Sequence, residues 1–142
     1  MKLGEQFKKK VVTMPPDASI RKTAFAMRDH GVGAVVVVNE KGKPVGIVTD
    51  RDVALALAVD EKDPDTPVGE IMPGELITIG ENEGIFNATQ YIFGYQIRRL
   101  PIVDSDGKLV GIVTMDDLLG LLARELGNLA EGAVKPVLAA AE

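Results

Sequence analysis

Two stretches of the chain set a hydroxyl and a carboxylate at one spacing, where an apolar run passes into a helical pattern. They are Gly46-Ile47-Val48-Thr49-Asp50-Arg51-Asp52-Val53 and Gly111-Ile112-Val113-Thr114-Met115-Asp116-Asp117-Leu118. Thr49 with Asp52, and Thr114 with Asp117, have the T-x-x-D spacing of a capping box, in which the side chain and backbone of the two residues satisfy each other at a helix start. That local role contributes about 1 kcal/mol and calls for no ligand. The same arrangement has a second use. A helix N-terminus carries unpaired backbone N–H groups and partial positive charge, which suit a phosphate. A carboxylate one turn further in can accept hydrogen bonds from both hydroxyls of a ribose.

Arg98 and Arg99 form the other candidate group, since guanidinium groups meet phosphate oxygens in pairs and stay charged; the plainer role is a solvated charge pair. Asp50 with Asp52, and Asp116 with Asp117, do not suit hydrolysis. They sit at different angles around a helix start with no nucleophile or base beside them, so no enzymatic activity is expected. Their oxygens do suit Mg²⁺ accompanying a polyphosphate. His30 is the single histidine, which excludes a histidine-rich metal site and leaves it a helix-end surface role. Lys8-Lys9-Lys10 is a short basic face able to approach a phosphate.

The bulk properties narrow the partners. The absence of cysteine removes disulfides and thiol chemistry, and a net charge of −5 opposes a phosphate-backbone footprint, so nucleic acid is not an expected partner. The apolar stretch 118–122 is broken by Arg124 and Glu125, far short of the roughly 20 residues of a membrane span. Gly4, Glu5 and Gln6 follow Lys2 where a signal peptide would have its apolar core, so a cytoplasmic location is expected.

The elements that would position the two junctions occur twice. Residue n lies over residue n + 65 without a gap across 3–59, for example Leu3-Gly4-Glu5 over Val68-Gly69-Glu70 and Gly42-Lys43 over Gly107-Lys108. Such duplication signals two copies of one supersecondary unit packed on each other. Short apolar runs at 11–14 and 76–79 predict first strands, with Asp17 and Asn82 as helix N-caps. Ile20, Ala24 and Met27, and likewise Ile85, Thr89 and Ile92, predict one core-facing stripe per helix. Gly31 and Gly33 end the first of these helices, whereas the second copy passes through Gln96-Ile97-Arg98. The continuous apolar runs 34–38 and 100–103 predict covered strands, joined through glycine-containing turns to 45–48 and 110–113. A closing helix follows in each copy. Residues 1–60 thus form the first repeat, the proline-interrupted 61–67 a linker, 68–126 the second repeat and 127–142 a C-terminal tail. Gly127, Gly132 and Pro136 oppose one long helix there, while Leu129, Val134, Val137 and Leu138 could dock on a neighbour.

Strand, helix, strand, hairpin, strand, helix, twice over, with Gly-Ile-Val-Thr-x-x-Asp leading into the last helix, resembles the cystathionine β-synthase (CBS) domain pair, or Bateman module. Arg99-Leu100-Pro101-Ile102-Val103-Asp104, Gly107-Lys108-Leu109-Val110 and Gly69-Glu70-Ile71-Met72 strengthen the likeness, which covers roughly residues 3–126. The resemblance implies an α/β fold of α+β type, each repeat a small three-stranded sheet with flanking helices, the two related by a pseudo-two-fold axis. It also implies a stand-alone regulatory module that senses AMP, ADP, ATP or S-adenosylmethionine between its repeats, forms a homodimer and signals to an effector protein. Asp52 and Asp117 would then hold ribose, with Thr49 and Thr114 at ribose or phosphate. Asp50, Arg51, Asp116, Arg98 and Arg99 would complete the polar rim, and Met14, Ile79, Val36 and Pro101 the adenine wall. Gly33 and Ala34 match Arg98 and Arg99, so the two clefts are expected to be unequal, one of them empty or degenerate. The alternatives are a ligand-free interaction or dimerisation module and a Mg²⁺-sensing module.

Overall fold

The computed structural model describes residues 1–7 and 9–141, with side chains through residue 134. The first repeat comprises α1 (Leu3–Phe7), β1 (Thr13–Met14), α2 (Ile20–His30), β2 (Ala34–Val38), β3 (Pro44–Thr49) and α3 (Asp50–Ala58). A 3₁₀ turn (Val68–Glu70) opens the second, followed by β4 (Ile79–Gly80), α4 (Ile85–Tyr95), β5 (Arg99–Val103), β6 (Leu109–Thr114) and α5 (Met115–Ala141). Each repeat folds as a three-stranded sheet with flanking helices: β1 pairs parallel with β2 and β2 antiparallel with β3, and β4, β5 and β6 repeat the pattern. The α+β fold that the resemblance implies is the one observed.

Local chemistry explains the hairpins. Asn39 Oδ1 accepts the N–H groups of Lys41 and Lys43, and Asp104 Oδ1 those of Asp106 and Lys108, folding each turn on a side chain. Gly42 and Gly107 close these turns at φ 78° and 80°, a region that side chains with a Cβ rarely enter. The two tips touch. Leu109 N–H donates to the Gly42 carbonyl at 3.0 Å, a bond without a counterpart because the matching residue, Pro44, has no N–H.

The helix starts differ from expectation. Ser19, not Asp17, caps α2 by accepting the Lys22 N–H at 3.0 Å, and α4 begins at Gly84 with no side-chain cap, leaving Asn82 two residues too early. The regular part of each first strand is only two residues long, although the Val12 carbonyl still accepts the Val36 N–H at 3.1 Å. The buried faces also shift: α2 buries Ile20, Thr23, Ala26 and Met27, and α4 buries Ala88 and Ile92, while Ala24, Ile85 and Thr89 are half-buried at the stripe's edge. At the C-cap of α4, Gln96 takes φ 54°, where Gly31 ends α2 at φ 63°. Gln96→Gly should therefore raise stability by ~0.5–1 kcal/mol in a urea titration, and an unchanged or lower midpoint would contradict strain at this site.

Each repeat has its own apolar core, and each core is completed by a segment belonging to the other repeat. Leu3 is fully buried with Leu100, Ile102 and Val113 of the second repeat. Val68 is fully buried with Ile20, Val35 and Val48 of the first. The backbone bonds obey the same exchange. Leu3 and Gly4 N–H groups donate to Glu83 and Glu81 carbonyls at 2.9 Å each, and Val68 and Gly69 donate to Ala18 and Pro16 at 2.7 and 2.9 Å. A Cβ on Gly4 would lie 2.9 Å from Glu81 Cβ, and one on Gly69 3.1 Å from the Pro16 carbonyl oxygen, so both glycines permit a close backbone approach. The linker is pinned as well: Ile20 and Arg21 N–H groups donate to the Thr66 and Pro64 carbonyls at 2.9 Å.

The C-terminal segment corrects a sequence expectation. One helix, α5, runs from Met115 to Ala141 through Gly127, Gly132 and Pro136. A glycine costs about 1 kcal/mol in a helix, which the surrounding leucine, alanine, glutamate and arginine offset. A proline inside a helix loses one backbone bond and sets its ring against the carbonyl one turn back, a cost of about 3 kcal/mol. Leu129 and Val134 are exposed on it, while the side chains of Val137 and Leu138 lie outside the described residues.

Candidate ligand clefts

Both junctions form the anticipated capping box. Thr49 N–H donates to Asp52 Oδ2 at 2.8 Å while Asp52 N–H donates to Thr49 Oγ1 at 3.2 Å, and the Thr49 hydroxyl also reaches Oδ2 at 3.0 Å. In the second repeat, Thr114 N–H donates to Asp117 Oδ2 and Asp117 N–H to Thr114 Oγ1, both at 3.0 Å. The box does not exhaust the carboxylate. It engages Oδ2 and holds the side chain in one orientation, so Oδ1 of Asp52 has no hydrogen bond among the described residues.

The backbone amides at the start of α3 behave otherwise than expected. Asp50 N–H donates to the Gly33 carbonyl at 2.9 Å, Arg51 N–H to Asp50 Oδ1 at 2.9 Å, and Asp52 N–H to Thr49. They are therefore not open for a phosphate, because the turn preceding β2 and the Asp50 side chain already satisfy them. In α5 Met115 N–H donates to the Arg98 carbonyl at 2.9 Å, and methionine offers no oxygen to the next amide. Any strong anion contact in the first junction must come from side chains.

Those side chains come from across the molecule. Thr49, Arg51 and Asp52, with Gly46 and Ile47 of β3, form one wall of a cleft of about 360 Å³. Its other wall belongs to the second repeat: Pro73, Glu75, Leu76, Ile77, Ile97, Arg98 and Arg99. A second cleft, also about 360 Å³, sets Ile112 and Thr114 against Lys9, Lys10, Val11, Val12, Val32, Gly33, Ala34 and Val36, with Arg99 again at the border. Both volumes fall in the range of small-ligand sites. Each cleft thus joins the strand-to-helix junction of one repeat to the segment before the first strand of the other.

Of the remaining candidates, Asp117 sits beside the second cleft, 3.7 Å from Lys9 Nζ. Asp50 and Asp116 are exposed and border neither cleft. Met14 packs on the first core and borders a separate depression beside His30. Ile79 and Pro101, expected at the adenine wall, are buried at about 2% exposure or less and do not border the clefts, since their strand positions aim them into packed interior. Val36 is buried and does border the second cleft.

The apolar wall lies two residues earlier than the sequence reading put it, at Val11-Val12 and Leu76-Ile77. The signal was there. Val12 and Ile77 pack on their cores, so the apolar Val11 and Leu76 next to them must face another way. Nor is the second cleft short of positive charge: Gly33 and Ala34 replace two arginines, but Lys9, Lys10 and Arg99 stand there instead. Lys8 lies outside the described residues.

With this geometry in hand, known proteins give a direct comparison. The CBS domain family matches residues 5–59 and again 68–124, one match per repeat. The chain belongs to the CBS domain family. Relatives of this CBS pair include the CBS domain-containing protein YhcV of Bacillus subtilis, 44% identical over 108 residues that make up 76% of each chain. Protein MK0525 of Methanopyrus kandleri is 42% identical over 118 residues, 82% of this chain and 60% of that protein. The chain thus spans somewhat less than two-thirds of that relative's length. Among solved structures, the CBS domain pair of protein MJ0100, in complex with 5′-methylthioadenosine and S-adenosyl-L-methionine, superposes with a TM-score of 0.76 at 30% identity, covering 88% of this chain and 98% of that one. CBS domain protein PAE2072 from Pyrobaculum aerophilum, complexed with AMP, gives 0.75 at 27% identity, covering 87% and 99%.

Among the described residues, no helix is long and apolar enough to cross a membrane, and no group of three or more His, Cys, Asp or Glu side chains is placed to hold a metal.

Proposed function

We propose that this CBS pair is a cytoplasmic regulatory module, without catalytic activity, that binds an adenine nucleotide or adenosine derivative between its repeats and passes its occupancy to a partner protein. The observation that carries the reading is the first cleft. It has an oriented carboxylate with one oxygen uncommitted, three arginines (Arg51, Arg98, Arg99) within reach of a phosphate, and an apolar slot at Leu76, Ile77 and Ile97. The complexes of the two structural relatives with adenosine compounds support the ligand class.

A ligand bridging both repeats stabilises one relative orientation of them, and the shift is limited by its differential affinity for the two states. Mg²⁺ enters this reading as a companion of a polyphosphate, and a homodimer as the assembly that receives the signal. A second reading, a ligand-free interaction module, is favoured by the exposed apolar side chains of α4 and α5: Phe93 is 86%, Leu126 68% and Leu129 71% exposed.

A thermal-shift series with AMP, ATP, S-adenosylmethionine and Mg²⁺ alone separates these. A nucleotide at 100 times its Kd should add about 2.7 kcal/mol of stability. No response to any nucleotide would favour the interaction module, and a response to Mg²⁺ alone the metal sensor.

A further inference from the structure

Among the described residues, Arg99 alone borders both clefts. It is the first residue of β5. Its neighbours in sequence, Ile97 and Arg98, line the first cleft, while its cross-strand partner in β6 is Thr114, the hydroxyl of the second. The side chain is half-buried, and among the described residues its guanidinium has no hydrogen bond or ion pair. The duplication does not supply a second such group. The matching position in the first repeat is Ala34, paired with Thr49, too short to reach an anion in either cleft.

We infer that Arg99 couples the two clefts, its guanidinium serving the anionic group of a ligand in one cleft at a time, so that filling either cleft weakens the other. The inference rests on the nucleotide reading above and specifies its regulation. A guanidinium presents its donors as a planar fork suited to one anion, and contacts of this kind are the strong ones. When a phosphate in the first cleft takes Arg99, the second cleft keeps, among the described residues, Lys9, already beside Asp117 at 3.7 Å, and Lys10. When the second cleft takes it, the first keeps Arg51 and Arg98. The coupling must be equal in both directions. In consequence the module holds one ligand per chain over a wide range of concentration.

The test is calorimetric titration of the full chain with AMP, using Asp52→Ala to disable the first cleft and Asp117→Ala to disable the second. The second cleft, measured alone in Asp52→Ala, should bind AMP about 10- to 100-fold more tightly than it does in the wild type once the first cleft is filled. Arg99→Ala should weaken both single-cleft variants, and make the two clefts of the otherwise wild-type chain independent. Arg99→Lys, which keeps the charge and the packing stem, should restore part of the affinity while keeping the coupling. Adenosine, which has no phosphate, should fill both clefts independently. Equal second-cleft affinity in the wild type and in Asp52→Ala, or an Arg99→Ala effect confined to one cleft, overturns the coupling and leaves the nucleotide reading standing. No binding of AMP to the wild type removes both.

Discussion

In an Asp117→Ala background, which leaves a single working cleft, Asp52→Ala should lower the affinity for AMP about 100-fold or more. Hydrogen bonds to a charged acceptor contribute about 1.5–3 kcal/mol each, and a ribose offers two hydroxyls to this carboxylate. The same substitution dismantles the capping box, so it should also cost about 1 kcal/mol of stability. The two effects come apart in two further variants. Asp52→Asn keeps an oxygen for the Thr49 N–H but removes the charge and turns one acceptor into a donor, so affinity should fall with little loss of stability. Thr49→Ala removes the cap to the Asp52 amide while leaving the carboxylate, so stability should fall more than affinity. Titration calorimetry reads affinity and urea denaturation reads stability. Affinity in Asp52→Ala equal to that of its parent would show that this aspartate serves only the helix start.

Leu3→Ala should destabilise the protein by about 2–5 kcal/mol, the usual cost of emptying a buried leucine site. The reason is that Leu3 is fully buried in the core built around Leu100, Ile102 and Val113. Hydrogen exchange makes the prediction specific. Protection should drop first in β5 and β6 of the second repeat, with β2 and β3 less affected, because regions open according to their own contacts. Val68→Ala should do the reverse, loosening β2 and β3. A Leu3→Ala protein whose first repeat loses protection first would refute the exchange of segments between repeats.

These two positions also mark where sequence reasoning succeeded and where it stopped. Thr49 and Asp52 were legible because a capping box is a relation between residues three apart, and such relations survive any tertiary arrangement. Arg98 and Arg99 were legible as a candidate pair of cations, but their placement was not: the second cleft was expected to lack arginines, and Arg99 borders it as well as the first. The basic pair Lys9 and Lys10 completes that cleft for the same reason. Met14 and Ile79 lie two residues past the cleft-lining part of the first strands, and Pro101 is buried within β5, placements that periodicity alone leaves free.

From its residues alone the chain determined the duplication, the hairpins turned on Asn39 and Asp104, and the strand-to-helix junctions with their boxes. It also determined the α+β plan of each repeat. All of these depend on neighbours in the chain or on the identity of residues 65 positions apart. Only the tertiary structure decided that Leu3 packs on the second repeat and Val68 on the first, that each junction faces the other repeat's leading segment, and that the amides of α3 are already bonded. The physical reason is the duplication itself. When two halves present nearly the same apolar faces and the same free backbone groups, a leading segment could satisfy its own half or its twin, and the choice rests on distances between parts that no local pattern records.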